Sequence, residues 1–402
     1  MCGIAAIIRK DGAPANEQQL HAMMRAMKHR GPDDDGVLVD GSVGLGFVRL
    51  KIIDLSENGH QPMRSADGRY AIIFNGEIFN YIELRKELLA KGHVFRTRTD
   101  TEVLLTAYIE WGEAMLHRLN GMWAFILYDR QEHRLFCARD RYGIKPFFYR
   151  EEQDRLIIAS EPPAIMAVMA GAPEPDRAAI FNYLAFNRTD QNAGSFFTGI
   201  SKLQHGHLLR IRLPRPTCDP VAWYRLRDEL KEPLSGPEEY RELFTSAVEL
   251  RLRSDVPVGV CLSGGLDSTS IVATIADHAH RRDVNTFSAV YGAGRKGDES
   301  AYIGLFKDRL PHMHYTVPDE QGLMADLDDL TRTQCEPVPS ASTYAQYRVM
   351  KLAHEHVTVT LDGQGADESL GGYHYFFGFF FKQLLRQGRI VRLMREMKDY
   401  TA

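Results

Sequence analysis

Apolar residues follow two different rhythms along this chain. In the first 160 residues short runs are rich in Ile, Val, Phe and Tyr and are separated by turn residues. GIAAII (3–8), VGLGFV (43–48), YAIIF (70–74), MWAFILY (122–128) and RLFCA (134–138) are therefore expected as strands. Two helices interrupt them. Asn80 followed by Glu83 makes a capping-box pattern ahead of Leu84, Leu88 and Leu89. Thr99 or Asp100 can cap a second helix, with Leu104, Leu105, Tyr108 and Ile109 on one face. Strands in hairpin-like succession with segregated helices predict an α+β sandwich.

From about residue 236 the rhythm changes. VPVGVCL (256–262), VNTFSAV (284–290), HMHYTV (312–317) and VTVTL (357–361) alternate with helical segments expected at Leu266–His280, Glu299–Leu310, Gln321–Cys335 and Thr343–His356. That alternation predicts an α/β domain with a parallel sheet. Between the halves, prolines at 173, 175, 214, 216, 220, 233 and 237 punctuate the chain, and LPRPTCDP (213–220) predicts a surface excursion. The expected organisation is one domain over 2–200, a linker over 201–235 and a second domain over 236–402. The stretch YHYFFGFFF (373–381) predicts a buried helix face. It is far shorter than the roughly 20 residues of a membrane span, so no membrane partner is expected.

Composition narrows the classes. Of 402 residues 44% are hydrophobic and 25% charged, an ordinary globular balance that excludes a mainly disordered chain. Lys and Arg number 49 against 53 Asp and Glu, a net charge of −4, so a nucleic-acid partner is not expected. The five cysteines (Cys2, Cys137, Cys218, Cys261 and Cys335) form no CxxC pair, which argues against a disulfide framework or a zinc site. A reducing, cytoplasmic compartment fits that usage.

Cys2 stands second. Removal of Met1 would give it a free α-amine, whose ordinary pKa of about 7.7–8.0 suits a general base. A thiol with a built-in base is an N-terminal nucleophile. Four segments could surround it: HRGPDDDG (29–36), RLKIID (49–54), NGEIFN (75–80) and RTDTE (98–102). The planar fork of Arg49 suits a carboxylate. Glu77 and Asp100 suit an ammonium. The Asn75 amide and the Gly76 N–H suit a tetrahedral oxyanion. Glutamine carries all three features. Plainer roles exist for each: Asp100 as a helix cap, Asn75–Gly76 as a type I′ hairpin turn, Arg49 as a surface ion pair.

With LNGMWAFILYD (119–129) and RDRYGIKPFFY (139–149), these motifs closely resemble, in order, the class II glutamine amidotransferase domain over about residues 2–160. The resemblance implies a four-layer αββα N-terminal-nucleophile (Ntn) hydrolase fold and hydrolysis of glutamine to glutamate and ammonia. It makes Cys2 the nucleophile and Asn75 and Gly76 the oxyanion hole. Arg49, the backbone at Ile52 and Ile53, Asn75, Gly76, Glu77 and Asp100 would bind glutamine.

A second motif, SGGLDS (263–268), follows the run VPVGVCL. Gly264 and Gly265 would let backbone N–H groups approach phosphate oxygens at a helix N-terminus. Ser263 and Ser268 can donate to pyrophosphate, and Asp267 can hold Mg2+. A strand–turn–helix joint with serine caps is the plainer reading. No GK[ST] follows, which excludes a Walker loop. Further on, LDGQGADESLGGY (361–373) follows VTVTL. SGGLDS resembles the pyrophosphate loop of the ATP-pyrophosphatases, which cleave ATP between the α and β phosphates. By that resemblance Leu262 and Val290 line the adenine site and Asp362 and Gly363 approach the nucleotide. Asp367 becomes the second Mg2+ carboxylate.

A class II glutaminase followed by this loop resembles the glutamine-hydrolysing asparagine synthetase family. That resemblance implies ATP and Mg2+ as cofactors and a carboxylic-acid acceptor, aspartate first. It also implies an acyl-adenylate attacked by ammonia drawn through an internal tunnel, release of AMP and pyrophosphate, and a homodimer. Two departures stand out. Gln364, in the acyl-adenylate region, replaces a glutamate usual in asparagine-forming members, and GQGADE-like variants resemble paralogues that amidate sugar acids or peptide carboxylates. The chain also ends about thirty residues after Gly372, where the family continues. The expectation is therefore a chain that hydrolyses glutamine, ligates poorly and carries a self-associating C-terminal half. A glutaminase or regulatory protein without ligase activity is the alternative from another class.

Overall fold

Runs that are apolar at every position need cover on both faces, and the N-terminal strands receive it. The computed structural model describes residues 1–401 apart from 215, 231–232, 279–282, 293 and 296. The expected helix end at His280 and position 215 of the surface excursion lie outside the described residues. The chain divides into two compact units, Met1–Pro257 with Asp319–Tyr347, and Val258–Pro318 with Arg348–Ala402.

The first unit holds two antiparallel six-stranded sheets. One runs in the spatial order Ser201–Lys202, Phe148–Glu151, Arg155–Ala159, Gly3–Arg9, Val43–Arg49, Asp34–Asp40. The other runs Val221–Ala222, His207–Arg212, Arg134–Arg139, Gly121–Asp129, Tyr70–Ile78, Met63–Arg64. Alternation along each strand builds three apolar layers. Ile4, Ala6 and Ile8 meet Ala71, Ile73, Ala124 and Ile126 between the sheets. Ala5 and Ile7 point outward onto Leu20, Met23 and Met24 of the helix Glu17–Ala26. Ile72 and Phe74 point the other way, onto Leu84 and Leu88 of the helix Tyr81–Ala90 and Leu104 of the helix Asp100–Trp111. Helix, sheet, sheet, helix is the αββα sandwich that the resemblance implied.

Two expectations change here. Residues 201–235 are not a free linker: His207–Arg212 pairs along Arg134–Arg139, and Leu208, Leu209 and Ile211 are buried. The sequence offered prolines as the signal, but the alternation in HLLRIR supplies a strand with an apolar face. The unit continues through the helix Pro237–Arg251, and Arg253 pairs with Glu83 at 2.6 Å. That pair also explains why the capping box at Asn80 does not form. Glu83 is engaged by Arg253, and the Asn80 side chain donates to Arg118 O and accepts the Asn120 N–H. No side-chain hydrogen bond caps that helix.

The second unit is a four-stranded parallel sheet in the order His312–Thr316, Asn285–Ala289, Val258–Cys261, Val359–Leu361. In chain order this is 3-2-1-4, with the direction of winding reversing between its first and fourth strands. The segment expected as the helix Glu299–Leu310 is shorter, helical over Ser300–Ile303 and then one tight turn over Gly304–Phe306. The aromatic run forms the helix Tyr375–Arg386, but its face is only half covered. Phe377 and Phe381 pack near Tyr400 of the helix Ile390–Thr401, whereas Tyr375 is 60% and Phe379 68% exposed. Among the described residues no helix is long and apolar enough to cross a membrane.

Candidate active sites

Cys2 lies just ahead of the strand Gly3–Arg9, and its Sγ accepts the Leu50 N–H at 3.4 Å and donates to Leu50 O at 3.6 Å. Asn75, Gly76 and Glu77 lie inside the strand Tyr70–Ile78, opposite Ala124, Trp123 and Met122. Asn75–Gly76 is therefore not a hairpin turn. A Cβ at Gly76 would fall 2.3 Å from Met122 O and 2.5 Å from the Phe74 ring, so only glycine fits there. Asp100 opens its helix, but the cap is Thr99, which accepts the Glu102 N–H; Asp100 instead accepts the Ile78 N–H at 3.0 Å. Cys2, Arg49, Ile52, Ile53, Asn75, Gly76, Glu77 and Asp100 all line one recess.

Arg49 is buried, and folds the following loop around itself. It donates to Ser56 O at 2.9 Å, Asp54 O at 2.6 Å and Ile53 O at 3.3 Å. Five guanidinium N–H groups leave donors over for an anion in the recess. It is not the surface ion pair of the plainer reading.

The electrostatics favour an incoming cation beside an incoming carbonyl. Burial, then the Asp100 charge, pushes Glu77 up to about 8, and burial pushes Asp100 up to about 6. Two acids that ionise reluctantly in one recess gain from an ammonium. Asn75 is 1% exposed, and its Nδ2 has no hydrogen-bond partner. A buried unpaired donor costs on the order of 1–3 kcal/mol and is expected where a ligand supplies the acceptor. Burial also raises the Cys2 thiol. Met1 lines the same recess, and burial lowers its amine to about 5.

Four supporting residues escaped the sequence reading. Gln61 clamps the strand beside Asn75: its Oε1 accepts the Phe74 N–H at 2.6 Å and its Nε2 donates to Thr101 Oγ1 at 3.3 Å. Arg30 donates to Cys2 O at 2.9 Å and pairs with Glu161 at 2.6 Å. Lys145 is buried on the recess wall. Arg30 and Lys145 stood inside the quoted motifs HRGPDDDG and RDRYGIKPFFY; nothing local marked Gln61 or Glu161.

In the second unit both sequence-predicted loops leave the strands that flank the reversal of winding. SGGLDS follows Val258–Cys261, and DGQGADE follows Val359–Leu361. Ligands in open α/β sheets collect at that crevice. The loops touch: a Cβ at Gly363 would lie 3.0 Å from Asp267 Cβ and 3.2 Å from Ser268 N. Gly264 has φ +94, and a Cβ there would fall 2.8 Å from Glu299 Cβ. Gly265 caps the helix Leu266–Asp277 through its backbone alone. The Ser268 hydroxyl is buried and braces the loop, accepting the Ser263 N–H at 3.2 Å; Ser263 is exposed. Asp362 Oδ1 is buried without a partner. Leu262 is fully buried, Val290 half-buried and Gln364 exposed. Burial, then the charges of Asp367 and Glu368, raises the Asp267 carboxyl. Among the described residues no three His, Cys, Asp or Glu side chains stand close enough to hold a metal alone. Two carboxylates completed by phosphate oxygens is the donor set Mg2+ takes.

Two family models match the chain. Residues 1–220 match the model of a glutamine amidotransferase domain, and residues 239–400 that of asparagine synthase. A relative from Methanocaldococcus jannaschii named as glutamine-hydrolyzing asparagine synthetase 2 is 36% identical, with 93% of this chain aligned to 76% of the relative. Glutamine-hydrolyzing asparagine synthetase 1 of Bacillus subtilis is also 36% identical, over 94% of this chain but 59% of the relative. A Mycobacterium bovis relative, also named as a glutamine-hydrolyzing asparagine synthetase, is 34% identical over 93% of this chain and 60% of its own length.

Proposed function

Because the chain belongs to the glutamine-hydrolysing asparagine synthetase family, we propose that it is a glutamine-dependent amidotransferase that activates a carboxylic acid with ATP. The observation that carries the first half is the buried, unpartnered Nδ2 of Asn75 on the same recess as Cys2. Arg49 takes the glutamine α-carboxylate, and Glu77 with Asp100 takes the α-ammonium. Once Met1 is removed, the α-amine of Cys2 accepts the thiol proton. The sulfur attacks the amide carbon, and Asn75 Nδ2 with the Gly76 N–H holds the oxyanion. Ammonia leaves, and water releases glutamate from the thioester.

In the second unit the ATP phosphates lie against the N–H groups of SGGLDS, and the acceptor carboxylate attacks the α-phosphorus. Pyrophosphate leaves and an acyl-adenylate remains; ammonia then displaces AMP to give the amide. Asp267 and Asp367 are the residues that would hold Mg2+, which neutralises phosphate charge. The orphaned Asp362 Oδ1 supports a ligand at this crevice.

Aspartate is the first acceptor to test. A glutamine at position 364 cannot act as a base, which favours a second reading in which a sugar acid or peptide carboxylate is amidated. Pyrophosphate release with glutamine and Mg·ATP, measured across a panel of carboxylic acids, separates them. The acid that stimulates release is the acceptor. Glutamine hydrolysis with no acid-dependent pyrophosphate would leave a glutaminase only. Cys2→Ala should abolish the glutamine-driven reaction and spare one driven by added ammonia.

A further inference from the structure

Lys145 is the unexplained charge of the thiol site. It is 7% exposed, yet it lines the recess with Cys2, Asn75, Glu77 and Asp100. Among the described residues no ion pair is formed by its ammonium. The other basic side chain on that wall, Arg49, already serves three loop carbonyls. Lysines are almost never buried without a partner, because the desolvated charge is costly.

The backbone around it is unusually well held. Asp140, 1% exposed, accepts the N–H groups of Tyr142, Ile144 and Lys145, each at 3.0 Å. Arg139 donates to Lys145 O at 2.7 Å and to Gly143 O at 2.6 Å. One buried and one half-buried charged side chain, Asp140 and Arg139, thus fix one short loop whose product is an ammonium facing the recess. Two groups of the proposed reaction carry negative charge there and lack a full countercharge: the Cys2 thiolate and the oxyanion.

We propose that Lys145 is a charge-setting residue of the glutaminase, a fixed ammonium that favours the anionic sulfur of Cys2. The proposal rests on Cys2 as the glutaminase nucleophile. Burial raises the thiol, and the Leu50 N–H, the chain's amino terminus, Lys145 and Arg49 oppose that rise; burial in turn lowers Lys145, together with Arg30, against the opposing pull of Cys2, Glu77 and Asp140. The pair therefore shares one requirement, that each keep the other ionised.

The test is the pH dependence of Cys2 alkylation by iodoacetamide in the Met1-free chain, read on the N-terminal peptide, for the parent, Lys145→Met and Lys145→Arg. Met keeps the length and loses the charge; Arg keeps the charge. The alkylation midpoint should rise by roughly one unit or more in Lys145→Met, with about ten-fold slower labelling at pH 7, and return towards the parent in Lys145→Arg. The pH profile of glutamine kcat/KM should move by the same amount. An unmoved midpoint in a folded Lys145→Met, with only KM raised, would make Lys145 a substrate-binding group and overturn the proposal. Equal shifts in both variants would make its role packing alone and overturn it as well. Alkylation does not need turnover. Absence of glutamine hydrolysis in the parent would therefore refute the glutaminase reading while the thiol midpoints are still measured.

Discussion

The Arg30 guanidinium reaches from the Glu161 carboxylate, at 2.6 Å, to the backbone carbonyl of Cys2, at 2.9 Å. One buried ion pair therefore fixes the peptide of Cys2, the proposed nucleophile. Arg30 is 7% and Glu161 8% exposed, so neither charge has water to fall back on. Glu161→Ala should cost about 3–5 kcal/mol in chemical denaturation, the usual effect of leaving one buried charge alone. It should also lower kcat for glutamine more than it raises KM, because Cys2 loses its anchor while Arg49, Glu77 and Asp100 stay in place.

Glutamine binding should release protons near neutral pH. In the free site burial, then Asp100, holds Glu77 at about 8, and burial holds Asp100 at about 6. An arriving ammonium favours their ionised forms. Affinity should rise as pH climbs through 6 and flatten above about 8. Calorimetry at pH 7 in buffers of different ionisation enthalpy counts the protons; none released would remove the ammonium from Glu77.

The same shift has a consequence without substrate. A carboxyl raised in the folded state binds protons that the unfolded chain has already lost, from near 4 up to about 8. Stability from this source is fully present below the unfolded pKa and is lost as pH rises through the folded one. The apo chain should thus lose stability between pH 5 and 8 on the order of the linkage relation, and Glu77→Gln should flatten that slope in denaturation curves.

Asn75→Ala should separate stability from turnover. The Nδ2 of Asn75 is buried and bonded to nothing, so its removal takes no hydrogen bond from that atom. Losing an oxyanion donor costs on the order of 10²–10³ in kcat. The expected outcome is a thermal midpoint close to the parent with turnover reduced by that factor. A matched fall in both would make Asn75 a strand residue only.

The chemistry was legible where it was local. The strands announce themselves by alternation, whereas Cys2, Asn75 and Gly76, and the SGGLDS turn, stand out only together, through the resemblance that their motifs carry in order. What escaped depends on partners far along the chain. Arg253 claims Glu83 from 170 positions away and so cancels a cap that looked complete. Gln61 has no motif around it, and its value comes from meeting Phe74 across a sheet edge. The strand His207–Arg212 hid among prolines because its cover, Arg134–Arg139, lies some seventy residues earlier. Lys145 and Arg30 were in view as letters of motifs, but burial gives them their function, and burial is set by tertiary packing.

The proposed nucleotide loop can be tested through two glycines that differ in one respect. Gly264 and Gly292 both have positive φ, +94 and +99, so alanine at either pays a backbone cost of about 1–3 kcal/mol. At Gly292 the added methyl meets open space. At Gly264 it would meet Glu299 Cβ at 2.8 Å and Glu299 O at 2.9 Å, and backbone cannot step aside as a flexible side chain does. Gly264→Ala must therefore move the SGGLDS turn, whereas Gly292→Ala need not. Both variants should unfold somewhat earlier than the parent. Only Gly264→Ala should weaken Mg·ATP binding, by about ten-fold or more in an equilibrium titration, since a displaced turn no longer points its N–H groups at phosphate. Parent-like affinity in a folded Gly264→Ala would make SGGLDS a plain joint between strand and helix, and would move the nucleotide site away from this crevice.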